Sequence, residues 1–369
     1  MDDLPALPPN FAQALLTWYD QHAAALPWRG QQDPYRIWLS EVMAQQTQLA
    51  TVIPYYERFL AAYPTVQDLA TAALDEVLKL WEGLGYYRRA RLLHACAQQV
   101  ARMGGFPSTL EGLLALPGVG RYTAAAIGSM AFGLRAAVLD GNVIRVLARW
   151  LDLSDDVTQA RVQARLWRIA ESALPAERVG DYNQAIMELG QTICTPRQPA
   201  CSACPLATLG CRALAHNTQA QRPVKAKRTP PPHYQVACGL IRDEAGRLLI
   251  AQRPAEGLLG GLWEFPGGKQ EADETLEECL ARELREELAI EVEVGDHFIS
   301  VDHAFTHFKI TLHAYECRYL RAAPPHDAPQ ALGCQAWAWV GEDELSRYSF
   351  GKADRLVIEA LRTRHQRLF

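Results

Sequence analysis

The sequence has no apolar run long enough to cross a membrane. Its most apolar uncharged stretch, Tyr122 to Leu134, is closed by Arg121 and Arg135, well short of the roughly 20 residues a spanning helix needs. It also lacks a basic, apolar leader: the N-terminus reads MDDLPALPPN, acidic and broken by proline. A cytoplasmic location with no membrane partner is the expectation. The bias of a disordered, collagenous or disulfide-scaffold chain is missing as well, because 49% of the residues are apolar, 21% charged and 9% aromatic. No internal repeat is visible. The length of 369 residues fits two domains of about 100 to 200 residues each.

What is present is unevenly spread. The net charge of −5 divides near residue 228 into 22 Lys and Arg against 19 Asp and Glu before it, and 15 against 23 after it. A mildly basic half thus precedes an acidic one, which leaves nucleic acid open as a partner, since phosphate binding depends on where the cations sit. Nine cysteines is an odd number, and four of them crowd between Cys194 and Cys211; in a reducing compartment such a cluster points to metal before disulfide.

From Phe11 to about Ala213 apolar residues recur at three- and four-residue spacing, as in Leu69, Ala73, Val77, Leu80 and Trp81, or Val162, Leu166, Ile169 and Leu174. This predicts a helical domain over residues 1–215. Asp33-Pro34 reads as one helix start, and Ser108-Thr-Leu-Glu111 as a capping box at another. The polar, basic, proline-rich segment His216 to Pro232 reads as an extended linker. After it, over 233–369, VACGLIR and RLLIAQR are strand-like runs joined by a turn at Asp243-Glu-Ala-Gly246.

Chemistry concentrates in three places. Pro117-Gly-Val-Gly120 lies between two helical patterns, where Gly118 and Gly120 let uncovered N–H groups approach a phosphate at the start of a helix; a plain helix–helix turn is the alternative. Asp140-Gly-Asn142 follows an apolar run, and helix capping alone would account for Asp140. Glu41 interrupts the mostly apolar IWLSEVMAQQTQLA, surroundings that help a carboxyl keep its proton as a general acid must; an ordinary solvated glutamate is the alternative.

The blocks WLSEVMAQQTQ, WEGLGYYRRARLLH, LPGVGRYTAAAI, VLDGNVIRVLARW and NQAIMELGQTICTP, spanning most of residues 25 to 211, closely resemble the adenine DNA glycosylase family. The resemblance implies an all-α helix-hairpin-helix glycosylase domain followed by an α/β Nudix-like domain. It further implies a monomer that removes adenine mispaired with 8-oxoguanine or guanine from double-stranded DNA after flipping the base out. On that resemblance Glu41 protonates the base, Asp140 stabilises the developing sugar cation, and Asn142 is its polar neighbour. Tyr122 stands where related endonuclease III-like enzymes carry a Schiff-base lysine, so no efficient strand-cleaving step is expected. Gln46 and Tyr86 match residues wedged into the duplex, and Trp28, Arg29 and Gln184 match positions around the adenine pocket.

Cys194, Cys201, Cys204 and Cys211 form C-x6-C-x2-C-x6-C, a spacing that suits zinc or an iron–sulfur cluster. The resemblance implies a [4Fe-4S] cluster, with one residue more than usual before Cys211 that a bulge at Leu209-Gly210 would absorb. Residues 234 to 365 are similar to the C-terminal domain of the same family, itself related to MutT-type Nudix hydrolases. Within them, Gly268, Glu274, Arg282, Glu283, Glu286 and Glu287 follow the Nudix pattern nearly completely, with Ala289 where glycine is expected. Glu283, Glu286 and Glu287 would share a helix face suited to Mg2+, unless the face is merely solvated. Phe305-Thr306-His307 is similar to the loop with which the family reads 8-oxoguanine. Three functions follow for test: the glycosylase, a glycosylase whose second domain also hydrolyses 8-oxo-dGTP, and a noncatalytic binder of damaged DNA. A nucleotide pyrophosphohydrolase tethered to DNA is a further rival.

Overall fold

The computed structural model describes residues 7–226 and 229–367. Lys227 and Arg228, part of the expected basic linker, lie outside the described residues. Contacts divide the chain into two compact units, one formed by the described residues of Met1–Thr71 and Leu92–Arg228, the other by Ala72–Arg91 with the described residues of Thr229–Phe369. The segment 72–91, read from sequence as part of the helical domain, therefore packs with the C-terminal portion. Lys79 donates to the Tyr348 carbonyl at 2.9 Å, and the Phe350 amide donates to Glu82 at 3.1 Å.

The first unit is helical, as the periodicity predicts. Asp33 caps the helix Pro34–Ala44 by accepting from the Tyr35 amide at 2.9 Å, with proline at the first helical position. Trp38, Leu39 and Met43 on this helix are buried. Around the Val143, Leu147, Leu166 and Leu189 side chains the helices Gly141–Trp150, Ala160–Ser172 and Val179–Thr192 close one apolar core. Two starts differ from expectation. The cap at Ser108–Glu111 is displaced by one residue: Thr109 accepts from Gly112, so Glu111 is not three residues past the cap and no capping box closes there. The Leu69–Trp81 pattern is two helices, Val66–Thr71 and Leu74–Trp81, because Ala73 is extended; the break falls beside the boundary between units.

The linker reading changes as well. Beyond the helix Arg212–Ala215 the chain takes a 3-10 turn at Gln219–Gln221. It is then fastened to the first unit by an ion pair from Arg222 to Asp152 at 2.8 Å and by Val157 donating to the Val224 carbonyl at 3.0 Å.

In the second unit seven strands form one mixed sheet: β1 (His233–Arg242), β2 (Leu248–Gln252), β3 (Trp263–Glu264), β4 (Gly267–Lys269), β5 (Ile290–Ala304), β6 (Lys309–Ala322) and β7 (Ala336–Val340). The order is β3-β2-β1-β6-β5, with β4 on β1 and β7 on β2; β1 and β6 run parallel. The β1–β2 turn falls at Asp243–Gly246 as expected, with Arg247 donating to the Asp243 carboxylate and Gly246 left-handed at φ 76°. One face is covered by the helix Leu276–Leu288 through Leu280, Leu284 and Leu288, the other by Lys352–Arg367 through Val357, Ile358 and Leu361. Alternation along the strands accounts for both faces being apolar where a helix covers them. Ala289 ends the first of these helices in the left-handed conformation, φ 50°, which is the conformation that favours glycine there.

Candidate active site

The first unit contains an open cavity of about 430 Å3, lined by Trp28, Arg29, Glu41, Gln46, Tyr122, Asp140, Asn142 and Gln184 among others. Residues scattered over some 160 positions thus meet in one place. Helix Pro34–Ala44 supplies Glu41, helix Arg121–Phe132 supplies Tyr122 from its first turn, and Asp140 is the cap of Gly141–Trp150.

Asp140 both caps and faces the cavity. One carboxylate oxygen accepts the Asn142 and Val143 amides at 3.0 and 2.8 Å, and the other accepts the Asn142 side chain at 2.8 Å. Burial pushes its proton affinity up, and these N–H groups together with Arg145 oppose that by favouring the anion. Glu41 is set differently. It takes one hydrogen bond, from the Tyr122 hydroxyl at 2.6 Å, and burial, only partly offset by that bond and reinforced by the charge of Asp140, lifts it to about 7. Two carboxyls on one cavity, one rich in N–H donors and one poor, are suited to different protonation states, which acid-assisted cleavage of a glycosidic bond requires.

Because Glu41 holds its proton more tightly folded than unfolded, stability is full below about pH 4.5 and falls as pH rises towards 7. The loss is at most about 3 kcal/mol, reduced by water entering the cavity mouth. Glu41→Gln is therefore expected to stabilise the fold relative to wild type more at pH 8 than at pH 5 in urea denaturation; equal effects at both would contradict the burial of this carboxyl.

Sequence reasoning missed Glu188, Met187 and Arg145. Glu188 is buried, pairs with Arg29 and accepts the Ala24 amide at 2.7 Å, fixing the arginine at the cavity wall. Arg145 donates to the Asn142 side-chain oxygen at 2.7 Å and to the Cys194 and Gly190 carbonyls at 2.7 and 2.6 Å. A Cβ on Gly190 would stand 2.7 Å from that of Asn142, so the close passage of the two helices needs glycine. The signal for all three was their place in NQAIMELG and VLDGNVIRVLARW, one or two turns from residues already singled out.

The wedge candidates Gln46 and Tyr86 are both left-handed, φ 57° and 52°, as are Asp152, Arg178 and Ala289 among others. Tyr86 is 47% exposed. Within the second unit, Thr306 of the β5–β6 loop donates to the Tyr86 hydroxyl at 3.4 Å, and Phe305 packs on His303 and Phe308 with His307 exposed beside them. In the hairpin, Gly118 is left-handed (φ 72°), and Gly120 caps Arg121–Phe132 with open space where its side chain would be.

Cys194, Cys201, Cys204 and Cys211 line a second, small cavity of about 30 Å3, walled also by Leu189, Leu206, Leu214, Arg149 and Gln219 among others. Gly210, left-handed at φ 105°, returns the chain so that Cys211 joins the other three. Arg149 donates to Cys194 Sγ at 3.3 Å. The four sulfurs line one space; among the described residues no three His, Cys, Asp or Glu side chains stand close enough together to hold a metal ion.

On the Nudix-like helix, Arg282 pairs with Glu274 at 2.8 Å, Glu283 at 3.1 Å and Glu286 at 3.2 Å. Glu287 is lifted to about 7, by burial first and then by the charges of Glu264 and Glu283. The expected magnesium face is thus an ion-pair network centred on Arg282, with Glu287 turned inward.

The HhH-GPD superfamily base excision DNA repair protein model matches residues 39–172, and the NUDIX domain model matches 237–360. The adenine DNA glycosylase of Mus musculus is 40% identical over 89% of this chain and 74% of its own, and that of Homo sapiens 40% identical over 94% and 73%. A solved thermostable thymine-DNA glycosylase is 32% identical, covering 54% of this chain and 93% of its own with a TM-score of 0.49. Identity of this extent across both units, together with two acids meeting in one cavity, shows that the chain belongs to the adenine DNA glycosylase family, DNA-repair enzymes that hydrolyse N-glycosyl bonds.

Proposed function

We propose that the protein excises adenine mispaired with 8-oxoguanine, or with guanine, from duplex DNA after extruding the base. The observation that carries this is the single cavity shared by Glu41 and Asp140. Glu41 donates its proton to the purine as the glycosidic bond breaks, and Asp140 meets the positive charge that develops on the sugar. Tyr122 and Asn142 hold the two carboxyls, while Trp28, Arg29 and Gln184 wall the base. Gln46 and Tyr86 are each wedges that enter the duplex, and Gly118 and Gly120 present amides to backbone phosphate. Thr306 beside Tyr86 supports reading of the opposite 8-oxoguanine by the Phe305-Thr306-His307 loop.

Cys194, Cys201, Cys204 and Cys211 would hold a [4Fe-4S] cluster, supplying a rigid support for the loop that carries them. Arg145 and Arg149 tie that loop to the helix capped by Asp140. Single-turnover excision on A:8-oxoG, A:G and C:8-oxoG duplexes tests the assignment: adenine is released from the first two, and no base from the third. Binding without release would favour a noncatalytic reader. A phenol cannot form an imine, so borohydride is expected to trap no abundant covalent adduct; a strong trapped band would contradict the role given to Tyr122.

A further inference from the structure

The Tyr122 hydroxyl has two neighbours within bonding distance among the described residues, Glu41 Oε2 at 2.6 Å and Met187 Sδ at 3.1 Å. Met187 comes from helix Val179–Thr192 and lines the same cavity. A phenol carries one hydrogen, and a thioether sulfur only accepts. When Glu41 is ionised, the hydrogen is committed to the carboxylate, the better acceptor. When Glu41 is neutral, its oxygen accepts weakly or itself donates to the phenol, and the hydrogen then needs another destination. The sulfur is in place to be that destination.

We propose that Met187 is a positioning residue for the reaction, its sulfur competing for the Tyr122 hydrogen and so favouring the proton-loaded form of Glu41. The inference rests on the reading of Glu41 as the general acid. No bond to carbon is made or broken in this step and the phenol keeps its hydrogen. As Glu41 hands its proton to the leaving base, the Tyr122 O–H swings from sulfur to the new carboxylate. The gain the carboxylate draws from the phenol is thereby reduced by whatever the phenol gives up, and an acceptor beside Tyr122 raises proton affinity at Glu41 by linkage. The other charged groups on the cavity are Asp140, which also favours the neutral acid, and the mutually paired Arg29 and Glu188. Burial of the phenol among these elements pushes its own ionisation well up, so it stays a donor across the working range.

The test is the pH profile of single-turnover adenine excision from an A:8-oxoG duplex, at saturating full-length protein, for wild type, Met187→Leu and Met187→Gln. Leucine conserves volume and removes the acceptor; glutamine restores one at similar reach. The alkaline limb is expected to move down by about half a pH unit in Met187→Leu, the size a weak hydrogen bond supports, and to return in Met187→Gln. Duplex affinity and melting temperature are expected to stay near wild type. An alkaline limb unmoved in Met187→Leu overturns the inference, whatever happens to the rate or the affinity, because an apolar wall residue would change those alone. Near-normal excision by Glu41→Gln would remove Glu41 as the acid and this inference with it. An unmoved limb alongside an inactive Glu41→Gln defeats the role of Met187 only.

Discussion

Asp140→Asn is expected to lower single-turnover adenine release by about 10³-fold or more while leaving duplex binding and folding near wild type. Asparagine is as good a helix cap as aspartate, so the bonds to the Asn142 and Val143 amides survive, while the negative charge and the bond accepted from the Asn142 side chain are lost. The substitution therefore separates the two uses of this side chain that the sequence alone left competing. An anion fixed beside developing positive charge in a shielded cavity accounts for a loss of this size. Glu41→Gln keeps the acceptor for Tyr122 and removes the transferable proton, with about 10² to 10⁴ in rate at stake. Near-normal release by either variant, with folding unchanged, would take that residue out of the chemistry.

The second large effect concerns stability. Arg149 is 2% exposed and donates to the carbonyls of Thr195 at 2.7 Å, Pro196 at 3.0 Å and Gln219 at 2.8 Å, besides Cys194 Sγ. With Arg145, its guanidinium fastens the cysteine loop to the helix Gly141–Trp150. Arg149→Met keeps most of the volume but leaves these acceptors unpaired, each costing about 1 to 3 kcal/mol when buried. The expected destabilisation is roughly 4 kcal/mol, a fall in Tm on the order of 10 °C for a unit of this size. A change below about 1 kcal/mol would mean that water replaces the guanidinium. Exposed pairs such as Arg161 with Asp155 are expected to matter far less.

How much of this could be read from sequence depends on the range over which each feature is determined. Asp33-Pro34 and Asp243–Gly246 were legible because a cap and a turn are set by a few adjacent residues. The break at Ala73 was not: alanine suits a continuing helix, and what stops it is packing of residues 74–91 on partners some 270 positions away, such as Tyr348 and Phe350. For the same reason no local pattern assigned Ala72–Arg91 to the second unit. At the site, residue types and their blocks pointed to Glu41, Asp140 and Tyr122, and the fold places all three on one cavity. Glu188 and Met187 escaped because only Gln184 was singled out on Val179–Thr192, although three- and four-residue spacing puts them on its face. On the Nudix-like helix, spacing put three glutamates on one side, but only the three-dimensional arrangement shows Arg282 among them and Glu287 turned inward.

The most direct measurement is a crystal structure of Asp140→Asn bound to a duplex with one A:8-oxoG pair, a variant expected to bind and not to cut. The account predicts the adenine out of the helix and seated in the cavity, its ring nitrogens within hydrogen-bond reach of Glu41 and its sugar against the substituted side chain. An adenine left stacked in the duplex, or lodged where Glu41 cannot touch it, would contradict it.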